Sequence, residues 1–141
     1  MFDFKFSWSV ELETGIDNID NQHKELLRIG REVEQLIITN CENLTIDELY
    51  NVICELRNYA TYHYYYEEEL MRKIQYKDIE RHCEMHRNAI SYINNIDPEK
   101  IKNNPIKDVK DIKTWIQNYV FEHMMFEDKE LALKIKESNI I

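Results

Sequence analysis

The sequence predicts an all-α protein, an up-down-up-down four-helix bundle with an irregular N-terminal arm. Three observations carry this. Only two glycines and two prolines punctuate 141 residues, and strand-rich folds need many more tight turns. Apolar residues recur at steps of three and four along most of the chain, the period of a helix face turned to a core. The pattern is interrupted in few places, so the helices are joined by short connections. The length suits one domain with a core that needs no disulfides. A single domain is expected over 1–141, with the arm at 1–15 and the bundle at 16–137.

In the arm, Phe4, Phe6 and Trp8 are placed to pack onto the helices, and Gly15 ends it. The first helix is expected from about Asp17 to Thr39, with an inward stripe of Ile19, His23, Leu26, Gly30, Val33 and Ile37. The second starts near Thr45-Ile-Asp-Glu48, a capping-box pattern. Its stripe runs Leu49, Ile53, Leu56, Ala60, His63, Glu67, Leu70, Ile74. The third begins near Asp78 with the stripe Ile79, His82, His86, Ala89, Ile93, Ile96. It stops before Asp97-Pro98, because proline disfavours helix in the residue before it. The fourth starts near Asn104-Pro105, with proline at the first helical position. Its stripe is Val109, Ile112, Ile116, Tyr119, His123, Phe126, and the helical pattern continues towards Lys136.

Charge and composition narrow the function classes. A net charge of −9 repels a phosphate backbone, so no nucleic-acid partner is expected. No stretch approaches the roughly 20 apolar residues of a membrane span, and the N-terminus has no apolar run of signal-peptide length. The chain reads as cytoplasmic. Cys41, Cys54 and Cys83 form no CxxC pair and read as packing residues of a reducing compartment.

The informative feature is where the histidines fall. All five, His23, His63, His82, His86 and His123, lie on the core stripes of their helices. One buried histidine is ordinary. Five on four facing helices need a partner for every ring nitrogen, and each unpaired polar group costs about 2 kcal/mol or more. A metal centre satisfies one nitrogen of each ring. In HYYYEEELM, Glu67 follows His63 by four and shares its helix face, as His86 does His82. A cation removes the cost of burying that carboxylate. Glu68 and Glu69 turn away from the stripe and are expected in solvent. His123 and Asp128 are five apart, about 140° around an ideal helix. Either the helix is distorted there, as by a π-bulge, or the side chain reaches sideways. Glu127 is the rival ligand.

These residues resemble the hemerythrin family. The resemblance rests on GIDNIDNQHKEL, HYYYEEELM, HCEMH and HMMFED, and covers the chain from about Trp8 to about residue 133. Its ordered spacing, H…HxxxE…HxxxH…HxxxxD, favours Asp128 over Glu127. What it implies is two iron ions in an oxo- or hydroxo-bridged non-haem centre. His82, His86 and His123 would bind one iron, and His23 and His63 the other. Glu67 and Asp128 would bridge the pair. The second iron then has a position left for a small ligand, which in hemerythrins is dioxygen. Val120, where the family often has leucine, and Tyr119, where tryptophan is frequent, would line the ligand pocket.

The expected function is reversible dioxygen binding for carriage, storage or scavenging, without enzyme activity. The alternatives are a di-iron enzyme or stress protein acting on peroxide or nitric oxide, an iron donor for cluster repair, or an oxygen sensor with a separate partner. Ferritin-like oxidases use ExxH motifs, and this chain has none. Tyr59, Tyr62 and Tyr66 read as bundle packing rather than as radical sites.

Overall fold

The computed structural model describes residues 6–42, 44–101 and 103–140, without the side chains of residues 120 and 121. A 3-10 turn, Val10–Leu12, precedes helices α1 (Asp17–Ile38), α2 (Ile46–Ile74), α3 (Ile79–Asn94), α4 (Pro98–Ile101) and α5 (Pro105–Tyr119). A π-helical segment, Val120–Glu127, then leads into α6 (Asp128–Glu137). Among the described residues there is no strand.

Local chemistry sets the helix ends. Thr45 caps α2, its hydroxyl accepting the Glu48 amide at 3.1 Å. At the other end Gln75 takes a left-handed φ of 53°. Its amide returns to the Arg72 carbonyl, and that of Tyr76 to Met71. This Schellman closure satisfies the last carbonyls and turns the chain towards α3. The α1 end is built alike, with Asn40 at φ 55° and the Cys41 amide on the Leu36 carbonyl at 2.7 Å. Helix α4 is one turn that the apolar periodicity did not suggest. The Asp97 carboxylate accepts the Glu99 amide at 3.0 Å, while Pro98 and Ile101 are buried.

Helix α1 packs on α2 and α5, and α2 also packs on α3 and α6. The core has two apolar bodies. One holds Leu26, Leu56, Ala60, Ala89, Ile93, Ile116 and Met124, and the other Ile19, Leu70, Met71, Leu131, Ala132 and Ile135. The histidine layer lies between them. His23 stands between Ile19 and Leu26, and the His63–Glu67 turn between Ala60 and Leu70.

The arm is pinned at three points. The buried Asp20 carboxylate accepts from the Thr14 amide at 2.9 Å, the Thr14 hydroxyl at 2.7 Å and the Gly15 amide at 3.2 Å. Phe6 is buried against Gly30, where a Cβ would lie 2.5 Å from its ring. Trp8 receives Lys24 Nζ over its ring at 5.0 Å. Phe4 lies outside the described residues.

One position of the fourth stripe is corrected. Phe126 is 58% exposed, not inward. The π-helical segment adds a residue to the turn, which carries Phe126 outward and leaves Met124 in the core.

Candidate metal centre

Seven side chains meet in the layer between the two apolar bodies. His23, His63, Glu67, His82, His86, His123 and Asp128 are all 2% exposed or less. Each helix supplies its share through a face fixed by spacing: His63 and Glu67 four apart on α2, His82 and His86 four apart on α3. The last pair depends on the π-helical segment. The Asp128 amide donates to the His123 carbonyl, five residues back. Glu127 points elsewhere, holding Arg81 with two hydrogen bonds of 3.0 and 2.8 Å.

The donors converge as two overlapping groups. One comprises Glu67, His82, His86, His123 and Asp128, the other His23, His63, Glu67 and Asp128. Within each, one ligand atom per residue lies within 4.8 Å of all the rest. Both carboxylates belong to both groups. The Asp128 oxygens face opposite partners, with Oδ1 2.9 Å from His123 Nε2 and Oδ2 2.9 Å from His23 Nε2.

Close as they are, most of these atoms are not aligned for hydrogen bonding; His86 Nε2, 3.1 Å from Glu67 Oε1, is an exception. Asp128 Oδ1 and Oδ2, Glu67 Oε2, and Nε2 of His82 and His123 have no hydrogen-bond partner among the described residues. His23 and His63 face each other Nε2 to Nε2 at 3.1 Å, an arrangement that accommodates one proton at most. Buried lone pairs that crowd together without pairing are costly. They fit a shared cation, and an all-nitrogen-and-oxygen donor set without thiolate suits iron better than structural zinc.

Without an ion, protons balance the charge. Burial alone would push His63 and His82 down, but the Glu67 and Asp128 carboxylates outweigh it and raise them to about 9 and about 10. Burial holds His123 below its ordinary value despite Asp128. Burial also opposes charge on Glu67 and Asp128, yet the surrounding imidazoles keep both well below the usual carboxylate range. The carboxylates thus favour the charged form of His63 and His82, and the imidazoles favour the charged form of Glu67 and Asp128.

Two partners outside the cluster were not legible in the stripe. Gln22 Oε1 lies 2.6 Å from His63 Nδ1 and accepts a hydrogen bond from it. Glu68 Oε2 lies 3.1 Å from His86 Nδ1, so Glu68 is half-buried against a histidine rather than solvated. That contact lowers the Glu68 carboxyl. Such contacts aim a ring's Nε2 at a metal. Their signal was the one-residue offset from a stripe residue, Gln22 before His23 and Glu68 after Glu67.

An apolar cavity of about 20 Å³ lies beside the cluster, lined by Leu26, Ala60, Tyr64, Ile116, Tyr119 and Met124 among others. Leu26 and Ala60 are one turn from His23 and His63. Tyr119 is thus on the cavity wall and stacks on His123 at 4.9 Å. The Val120 side chain lies outside the described residues.

A buried histidine–carboxylate cluster inside an antiparallel bundle defines a class, the helical metal-binding proteins. The model of the hemerythrin HHE cation binding domain matches residues 14–135. A bacteriohemerythrin of Clostridium acetobutylicum is 28% identical over 125 residues, 89% of this chain and 97% of that one. One of Campylobacter jejuni is 32% identical over 116 residues, 82% of this chain and 84% of its own. The chain belongs to the hemerythrin family. The family binds non-haem iron, and the cluster described above is able to hold a metal. Among the described residues, no helix is long and apolar enough to cross a membrane.

Proposed function

We propose that this protein binds dioxygen reversibly at a pair of iron ions, and that this binding rather than catalysis is its function. The observation that carries the reading is the asymmetry of the cluster. Three histidines belong to one group of candidate donors, two to the other, and both carboxylates to both. His82, His86 and His123 would hold the first iron, His23 and His63 the second, and Glu67 and Asp128 both. With a solvent-derived bridge, the second iron has a position left for a small ligand. When bound and reduced, the iron pair supplies the electrons that hold dioxygen.

The remaining roles belong to the chain. Gln22 and Glu68 keep the His63 and His86 rings turned to the metals. The cavity has room for one small molecule and is walled by Leu26, Ala60, Ile116 and Met124. Such a wall keeps bulk water and larger substrates away and favours release of the ligand unchanged. Tyr119 sets the cavity's polar side, and Val120 is placed by its sequence position as a further lining residue. The bundle is read as a single domain and the protein as cytoplasmic.

The test is an optical spectrum of iron-loaded protein, reduced without air and then exposed to oxygen. A visible band that appears with oxygen and disappears on its removal is expected. Two bound irons per chain with no spectral response to oxygen would leave the site and overturn the function.

A further inference from the structure

We propose that Tyr119, Trp115 and Tyr92 form a path by which oxidising equivalents leave the metal centre for the protein surface. The proposal rests on the reading of His123 as a metal ligand. Three consecutive ring pairs carry it. His123 and Tyr119 stack with centroids 4.9 Å apart and planes 13° apart. Tyr119 and Trp115 follow at 5.6 Å and 18°, then Trp115 and Tyr92 at 4.2 Å and 9°. Residues 115, 119 and 123 share one helix face at steps of four, and Tyr92 is added from α3.

Packing alone does not select this arrangement. Aromatic pairs are as well satisfied edge-to-face as offset-stacked, and the other ring pairs around the cluster are mostly tilted or T-shaped. Four near-parallel rings in series give the π-face overlap that electron transfer uses. Indole and phenol are also among the side chains most readily oxidised by one electron.

The path ends where protons can leave. The Tyr119 hydroxyl oxygen is fully buried. Trp115 and Tyr92 are half-buried. Trp115 borders an open pocket of about 370 Å³ that Tyr119 and His123 also line, and Tyr92 carries the path on to a separate surface groove that neither of them lines. The other stack at the centre leads nowhere comparable. Tyr64 lies on His86 at 4.0 Å, but it is 4% exposed. Among the described residues its further ring partners are His63 and His123, back at the cluster, and Tyr119, which it meets edge-on at 6.2 Å and which is already on the path.

The chemistry balances with a peroxide as oxidant and a low-molecular-weight thiol as reductant. One hydrogen peroxide takes two electrons and two protons to give two waters. Each electron comes in turn through Trp115 from Tyr92, whose phenol loses that electron and its hydroxyl proton. Each resulting phenoxyl recovers a hydrogen atom from a thiol, and two thiols end as one disulfide. Oxidation is thereby drawn away from His123 and Met124.

Iron-loaded protein, its iron content measured, is treated with one equivalent of hydrogen peroxide without thiol and mapped by peptide mass spectrometry. Oxidation is expected at Trp115 and Tyr92, several-fold above that at Trp8, which is also half-buried, and not in iron-free protein. Trp115→Phe keeps a ring in the stack but a less oxidisable one. It is expected to abolish Tyr92 oxidation and to raise damage at His123 and Met124. In Tyr92→Phe, a change at the rim, oxidation is expected to collect on Trp115. Equal oxidation of Trp8 and Trp115 in iron-loaded protein, or Tyr92 oxidation unchanged in Trp115→Phe, overturns the path alone. A chain that takes up no iron overturns the metal-centre reading and the path with it.

Discussion

The amide of Asp128 donates to the carbonyl of His123, five residues earlier in the chain. In an α-helix that carbonyl would receive the amide of Glu127. The wider turn rotates the chain so that Asp128 is fully buried beside His123, with Oδ1 2.9 Å from the ring nitrogen. Glu127 is displaced to Arg81. π-Helical turns are uncommon and concentrate at functional sites. Here the turn brings a carboxylate to the cluster while α6 keeps Leu131, Ala132 and Ile135 in the core.

That register has a direct consequence for stability. Phe126→Ser removes a ring that is 58% exposed, and its cost is expected within about 0.5 kcal/mol. Met124→Ala empties a site that is 1% exposed and is expected to cost about 2–5 kcal/mol. Urea denaturation of both variants measures the contrast. Similar losses in the two would mean that the segment keeps an α-helical register.

Asp128→Asn preserves the shape of the side chain and removes a charge that both groups of candidate donors share. The variant is expected to fold and to bind fewer iron ions than the parent, with the remaining iron weakly held. Metal analysis after gel filtration reads the number directly. Parental stoichiometry would assign the shared role to Glu67 alone.

Much of this was legible in the sequence, for a physical reason. Helix faces and the His63–Glu67 and His82–His86 pairs follow from a fixed spacing of about 3.6 residues per turn, so the period alone brings them inward. His123 and Asp128 defy that period, and the sequence left a distorted helix and a sideways reach as alternatives. Only backbone hydrogen bonding distinguishes them. Phe126 was misplaced by the same cause, since an apolar residue on an ideal stripe was carried past it. The contacts of Gln22 and Glu68 with imidazole Nδ1 atoms, and the single turn of α4, depend on neighbouring helices and left no periodic signal.

Glu68 and His86 offer a test of ring orientation. Losing a partner of this kind typically costs about 10–100-fold in metal affinity. Glu68→Ala is expected to fall in that range, and Glu68→Gln to recover part of it, because the amide oxygen can still accept from Nδ1. Competition against a chelator gives the affinities. A Glu68→Ala variant with parental affinity would reduce the 3.1 Å contact to a surface ion pair.

The arm can be tested at Gly30. A methyl there would sit 2.5 Å from the Phe6 ring, so Phe6 must leave its buried place. Alanine gains about 1 kcal/mol in helix propensity, while overpacking costs typically about 1–3 kcal/mol. Gly30→Ala is expected to lower stability and to expose residues near Phe6 to protease. A more stable, equally resistant variant would mean that the arm contributes little to the bundle.

The metal-free protein should lose stability as the solution becomes alkaline. His63 and His82 are raised to about 9 and about 10 against an ordinary value of 6.5. A raised value in the folded state means that the folded chain holds protons the unfolded chain has released. Their contribution is therefore complete below about pH 6.5 and is lost as the pH climbs through 9 and 10. Glu67 and Asp128 act oppositely, held well below their ordinary range. They stabilise above about pH 4, and that contribution is lost as acid protonates them in the folded state. Bound metal takes the place of the imidazole protons, and alkaline solution favours the deprotonated ligands it needs. Urea unfolding from pH 6 to 10, with and without a chelator, is expected to show falling stability for the stripped protein and flat or rising stability for the loaded one. Parallel profiles would mean that His63 and His82 are neutral in the stripped protein, and that the buried carboxylates find their compensating charge elsewhere.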